Sequence, residues 1–186
     1  MKVICLLGSP RLHGNSAAIA RHFLDTAQKI GAEIQTFVLH QLDYRGCASC
    51  NACKNQLDRC QVKDDLTPVL EAIYETDVLV ITTPVYFSGP NYKVCSLLER
   101  TYSYFTAEWA SRLPPGKKLV YIQAQSQPGN KHKDTYSRYD QHFQMLGFGD
   151  QDRYFIQAPG VDRPDDVKGK KNILELAEET ARKVCA

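Results

Sequence analysis

Residues 2–16 read KVICLLGSPRLHGNS, and the stretch changes character twice. Lys2 to Leu7 is a short apolar run rich in Val, Ile and Leu, which suits a strand buried on both faces. Gly8 to Gly14 is a glycine-bounded turn. From Asn15 the apolar residues fall at helical spacing, with Ile19, Phe23, Ala27 and Ile30 on one side and Arg21, Asp25 and Lys29 between them. Gly31 follows as a stop. The apolar opening lacks a small-residue cleavage site and turns straight into the glycine loop, so it is expected to be a strand rather than a signal peptide.

The alternation continues outward. Glu33 to Leu39 predicts a second strand, and residues 43–63 read as an irregular, cysteine-rich loop. Asp64-Asp65 offers an N-cap and first-turn acids for a helix through about Glu75. Asp77 to Thr83 (DVLVITT) is the clearest strand, its β-branched run fitting the middle of a parallel sheet. A loop from Pro84 to Pro90, a helix from Asn91 to about Phe105 and a strand from Lys118 to Gln123 follow. A helix from Thr135 to Met145, a strand from Arg153 to Gln157 and a helix from Asp165 to Val184 complete the chain. In that last helix Ile173, Ala177, Ala181 and Val184 share a face. Strands and helices in alternation make an α/β fold, a parallel sheet covered on both faces. Five strands suit the flavodoxin-like doubly wound order 2-1-3-4-5. With 186 residues, no repeat and no linker, one domain over 1–186 is expected.

Composition narrows the partners. The chain is 43% hydrophobic and 24% charged with a net charge of +2, and its basic residues are scattered. That argues against a disordered chain and a nucleic-acid binder. No apolar run approaches the roughly 20 residues that span a bilayer. Seven cysteines, an odd number, fit a reducing cytoplasm better than a disulfide framework. Cys5, Cys95 and Cys185 sit in apolar or helical contexts and read as buried or peripheral thiols.

The first loop is a candidate phosphate site. It follows a strand and opens a helix, whose N-terminus offers unpaired N–H groups and a partial positive charge. Ser9, Asn15 and Ser16 add short polar side chains, Arg11 a full charge, and Gly8 and Gly14 close backbone approach. Neither a GK[ST] nor a GxGxxG motif is present. A plain helix-capping turn is the competing reading.

GSPRLHGNS resembles the phosphate loop of the NADPH-dependent FMN reductase family, in which a GSpRxxxNS-type loop holds the FMN 5′-phosphate; Ser9, Arg11, Asn15 and Ser16 match it. The resemblance continues at Thr83-Pro84-Val85-Tyr86-Phe87-Ser88-Gly89, where the family carries a TPxYxxs-type loop beside the isoalloxazine ring. It extends to Lys93 and Glu99-Arg100, where the family has a K…DR pattern. It therefore covers most of the first 105 residues and implies FMN as cofactor, with NAD(P)H as a possible electron donor. Pro84, Val85, Tyr86 and Phe87 are expected at the ring, the two aromatics by stacking surface and the backbone by N–H groups. Core capping is the plainer role for those aromatics. A third contact is expected after strand four, at Ala124 to Gly129, with Gln125 and Ser126 as its candidate residues.

The cysteines at 47, 50, 53 and 60 are spaced C-x2-C-x2-C-x6-C. Four thiolates so close can converge on one centre, and the x2, x2 series favours iron–sulfur over the two separated knuckles of a zinc site. The run resembles that of the iron-sulfur flavoprotein subgroup of the same family, which implies a [4Fe-4S] cluster ligated by Cys47, Cys50, Cys53 and Cys60. Arg45, Lys54, Arg59 and Lys63 would balance its negative charge. Zinc, a redox disulfide or bare thiols remain the alternatives.

The five histidines show no metal-ligand spacing, although His13 lies in the phosphate loop, and no Ser-His-Asp or Cys-His set suggests a hydrolase. Trp109, Tyr102 and Tyr104 are candidates for a site rim, a subunit interface or simple packing. The expected protein is a cytoplasmic redox flavoprotein passing electrons between a cluster and FMN, with no side chain required as acid or base. A ferredoxin-like donor and a homodimer or homotetramer are expected, and no nucleic acid or membrane. An NAD(P)H-dependent FMN or quinone reductase without a cluster is the first alternative. A noncatalytic thiol or metal redox sensor is the second.

Overall fold

A computed structural model describes residues 1–186. Its parallel strands are β1 (Lys2–Leu7), β2 (Glu33–Val38), β3 (Val78–Tyr86), β5 (Lys118–Gln125) and β6 (Arg153–Pro159), in the order β2-β1-β3-β5-β6. Counted by parallel strands this is the expected 2-1-3-4-5. A sixth strand, β4 (Gly89–Pro90), pairs antiparallel with the end of β3 and makes a small hairpin where a loop was expected.

The helices are α1 (Asn15–Lys29), the single turn α2 (Ala52–Asn55), α3 (Thr67–Glu75), α4 (Tyr92–Arg100), α5 (Lys133–Met145) and α6 (Lys171–Cys185). Side chains alternate between the faces of the sheet. Val3, Cys5, Val78, Val80, Val120 and Ile122 point toward α1 and α6, against Ile19, Phe23 and Ala177. Leu6, Leu79, Ile81 and Tyr121 point the other way, against Leu70, Leu97 and Phe143. Burial pushes the Cys5 thiol up to about 12, so it is an inert packing group. No helix is long and apolar enough to cross a membrane.

Several boundaries differ from the sequence reading for nonlocal reasons. β3 and β5 run beyond Thr83 and Gln123 because Pro84 pairs with Ala124, and Gln125 with Pro159. α1 ends at Lys29, leaving Ile30 at its C-cap and exposed. α3 starts at Thr67 rather than at the acids: Asp64 braces a turn ahead of it, its Oδ1 accepting from the Leu66 N–H at 3.1 Å while its Oδ2 accepts from Arg100. The helix after Asn91 stops at Arg100 and continues as a 3-10 turn, Thr101–Tyr104. The last helix is likewise preceded by a 3-10 turn, Asp166–Gly169. Because all five long strands are parallel, the segments after β1, β2, β3, β5 and β6 leave from one edge of the sheet.

Candidate functional site

The segments after β1, β3, β5 and β6 meet around a cavity of about 270 Å3. Ser9, Arg11, Asn15, Ser16, Pro84, Val85, Tyr86, Gln125 and Ser126 all line it. Of the ten residues expected at the cofactor, only Phe87 is absent. It sits at the hairpin tip with φ of 47° and is fully exposed.

The floor of the cavity is the start of α1. Its N-cap is Gly14, and no side chain caps it. The first N–H groups of the helix, at Asn15, Ser16 and Ala17, therefore lack intrahelical acceptors, and Gly14, Asn15 and Ser16 line the cavity. A Cβ on Gly14 would sit 3.1 Å from the Arg11 carbonyl oxygen and 3.4 Å from the Ser9 hydroxyl, tightening that cradle. Ser16 is buried, and the Arg11 side chain is exposed at the rim. The Ser9 hydroxyl accepts from the Arg11 N–H at 3.1 Å and so shapes the loop.

Two of the expected contacts have other employment. The Asn15 amide donates to the Arg163 carbonyl at 2.9 Å and accepts from the Val167 N–H at 3.1 Å. Its side chain is a clamp on the segment after β6, leaving its backbone N–H for a ligand. The Gln125 amide is likewise saturated. Its oxygen accepts from Gln123 at 2.9 Å and Gln157 at 2.7 Å, and its nitrogen donates to the Gln127 and Lys131 carbonyls. The side chain of Gln125 therefore props the third loop.

The sequence reading missed Val161, Asp162 and Pro164, which close the cavity from the segment after β6. No motif marks them. Their place after the last parallel strand was the available signal.

Asn91 ties the first two loops together. Its amide nitrogen donates to the Gly8 carbonyl and its oxygen accepts from the Val94 N–H at 3.2 Å, capping α4. A Cβ on Gly8 would lie 2.4 Å from the Thr82 carbonyl oxygen and 2.5 Å from a Val94 methyl, so only glycine fits. An uncapped helix start, a tight glycine crossing and an opening onto Tyr86 fit a phosphorylated ligand carrying a planar ring.

The cysteine loop is built differently. It lies against the C-terminal end of α4. The Glu99 carboxylate accepts from the Cys47 N–H at 3.2 Å, and Gly46 packs where a Cβ would meet that carboxylate. Lys54 donates to the carbonyls of Tyr102 and Phe105 and lies 3.7 Å from the centre of the Tyr102 ring. At the loop's entry, Lys93 donates to the Leu42 carbonyl at 2.6 Å. Of the four cations expected to balance a cluster, Lys54 is thus engaged with carbonyls, and Arg45, Arg59 and Lys63 are exposed. The cation that does touch a sulfur is Arg100, whose Nε donates to Cys60 Sγ at 3.2 Å.

The four sulfurs are neighbours without sharing one point. Burial raises the Cys53 thiol pKa; Lys54 lowers it, and Cys60, Cys47 and Cys50 each add to the rise. Cys50 is exposed and Cys53 buried. No three His, Cys, Asp or Glu side chains are placed to hold a metal ion. The donor set itself, four soft thiols beside a buried guanidinium, suits an iron–sulfur cluster chemically.

Tyr104 is a packing residue, its hydroxyl donating to the Leu70 carbonyl at 2.6 Å. Tyr102 and the half-exposed Trp109 instead line a second cavity of about 840 Å3, with Cys47, Cys95, Tyr139 and His142. His13 is exposed and does not line the first cavity.

Residues 1–130 match the family described as NADPH-dependent FMN reductase. An iron-sulfur flavoprotein of Methanocaldococcus jannaschii is 33% identical over 101 residues, covering 54% of this chain and 52% of the relative. One from Archaeoglobus fulgidus is 32% identical over 101 residues, covering 54% and 49%. The chain thus spans about half the length of the curated relatives it matches. Among solved structures, an FMN-dependent NADH-azoreductase from Bacillus anthracis in complex with FMN aligns over 100% of both chains, with a TM-score of 0.74 and 17% identity. An NAD(P)H:quinone oxidoreductase from Methanothermobacter marburgensis covers 99% of this chain and 96% of its own, with a TM-score of 0.75 and 17% identity. These likenesses show the fold. With the match over residues 1–130, the chain belongs to the NADPH-dependent FMN reductase family.

Proposed function

We propose that the chain is an oxidoreductase that binds FMN in the cavity at the start of α1 and a [4Fe-4S] cluster at Cys47, Cys50, Cys53 and Cys60. The observation that carries the flavin half is the uncapped start of α1 inside a cavity lined by all three loops that the sequence singles out. The N–H groups of Asn15, Ser16 and Ala17 would hold the phosphate, with Arg11 at the rim. Pro84, Val85 and Tyr86 would border the ring. The cluster half is supported by the cysteine spacing and by relatives named iron-sulfur flavoproteins. When bound, flavin exchanges electrons in pairs or singly and a cluster singly, so together they convert between the two. Around them the chain's work is to bind, orient and tune. The electron source would be a ferredoxin-like partner or NAD(P)H, and the setting a cytoplasmic homodimer or homotetramer.

A reductase using FMN alone is the second reading, supported by the family match over residues 1–130. The experiment is an anaerobic visible spectrum with iron and acid-labile sulfide analysis on one sample, before and after reconstitution. Flavin bands with close to four irons per chain, the stoichiometry of a [4Fe-4S] cluster, are the expected result. Flavin bands without iron after reconstitution would leave the FMN-only reductase. Absence of flavin would overturn both.

A further inference from the structure

The largest fully buried side chain of the molecule is a charged one, Arg100. Burying a guanidinium is costly unless every donor is met. Here all five are met. Nε donates to Cys60 Sγ at 3.2 Å. Nη1 donates to the Arg45 carbonyl at 3.1 Å and Asp64 Oδ2 at 2.7 Å. Nη2 donates to the Val62 carbonyl at 3.1 Å and Asp64 Oδ1 at 3.2 Å.

Every acceptor belongs to residues 45–64. Arg45 lies just before the first cysteine of the run, and Val62 and Asp64 just after the last. One side chain on α4 therefore joins the entry and exit of the cysteine loop and grips a sulfur between them. The other sulfurs have nothing comparable: Cys47 accepts a backbone N–H from Ser49 at 3.4 Å, and Cys50 is exposed. A buried pair such as Arg100–Asp64 is a poor way to gain stability, since apolar packing does as well or better. Its five directed bonds fix geometry instead.

We propose that Arg100 is the positioning residue of the cysteine loop. It clasps the loop's two ends and holds Cys60 as the fixed sulfur on which the other three close. This rests on reading the four cysteines as one cluster site. A donor and a positive charge at a ligating sulfur also make the cluster easier to reduce.

Arg100→Lys tests it. Lysine keeps the charge but cannot meet five acceptors in a plane. Wild type and variant are reconstituted anaerobically with ferrous iron and sulfide, and iron content and cluster midpoint potential are measured. The same proteins before reconstitution are digested with limiting trypsin, following cleavage at the exposed Arg59. Flavin retention and circular dichroism report the fold. The expected result is a folded, flavin-retaining variant with a more negative cluster potential. Cleavage at Arg59 should be about fivefold faster, the change that roughly 1 kcal/mol of lost closure produces. An unchanged potential or an unchanged cleavage rate overturns the proposal.

If the lysine variant does not fold, Arg100→Gln with Asp64→Asn removes both charges together and is read in the same way. If wild type itself takes up no iron, the cluster reading has failed separately. The cleavage rate then decides the clasp alone, an unchanged rate overturning it.

Discussion

The cavity at the start of α1 and the cysteine loop on α4 hold their key atoms by different means. In the cavity the groups proposed to meet a ligand are mostly backbone N–H groups, whose positions follow from the strand–turn–helix path. The side chains around them, Asn15, Gln125 and Asn91, are spent on bracing. In the cysteine loop the important atoms are side-chain sulfurs on irregular backbone, with Ser49 and Asn51 at positive φ. Secondary structure alone can complete the first kind of site. The second kind also depends on the ligand, because metal binding and the ordering of its ligands share one free energy.

If the two regions are separate devices, each can be removed without the other. Ser16→Glu puts a carboxylate among the N–H groups of the phosphate cradle. It should reduce FMN retention after gel filtration by more than about a hundredfold, since roughly 3 kcal/mol suffices for that loss, while leaving iron uptake intact. Cys53→Ala should abolish iron uptake in reconstitution and leave flavin content within a few tenths of wild type. Loss of both cofactors in either variant would make the regions one structural unit.

The bracing can be probed more gently. Asn15→Ala leaves the buried Val167 N–H without its acceptor and frees the Arg163 carbonyl. It should cost about 1–3 kcal/mol in urea unfolding. An unchanged midpoint would mean that the two segments hold together without the clamp.

The smallest effect concerns the cavity beside the cysteine loop. The Thr101 hydroxyl donates to the Leu98 carbonyl at 2.6 Å, so the His142 Nε2 at 2.8 Å must be its donor. Burial lowers the His142 pKa below 6.5. The neutral ring is therefore favoured in the fold, and protons bind the unfolded chain more readily. This stability is fully present above pH 6.5 and declines as pH falls from there toward the lowered folded pKa. His142→Gln should flatten that part of the unfolding-midpoint profile between pH 7 and pH 5. An equally steep profile would assign it to another group.

The reach of the sequence divides along the same boundary. β1, its glycine turn and α1 were legible because β-branched runs, turn glycines and helical spacing are local properties. The strand order was reached from the count of five strands in alternation with helices, which suits the flavodoxin-like arrangement. The duties of Asn15 and Gln125 were not, since their partners at Arg163, Val167 and Gln157 are set by tertiary structure. Phe87 looked like a ring-facing aromatic beside Tyr86. The two-residue strand that turns it to the outside depends on Pro90 returning to Val85. Arg100 was visible only as part of a motif, because nothing within a few residues of it shows that its acceptors lie 36 to 55 positions earlier.

α4 has a further consequence. One end is capped by Asn91, which grips the turn after β1, and the other carries Glu99 and Arg100, which grip the cysteine loop. The helix is thus a gauge between the two regions, about 13 Å long at 1.5 Å per residue. Lengthening it by a single residue would rotate everything beyond the insertion by about 100° and turn Arg100 away from its acceptors. Relatives that keep both regions should therefore vary in the length of the segment after β5 while the number of residues between the equivalents of Asn91 and Arg100 stays constant.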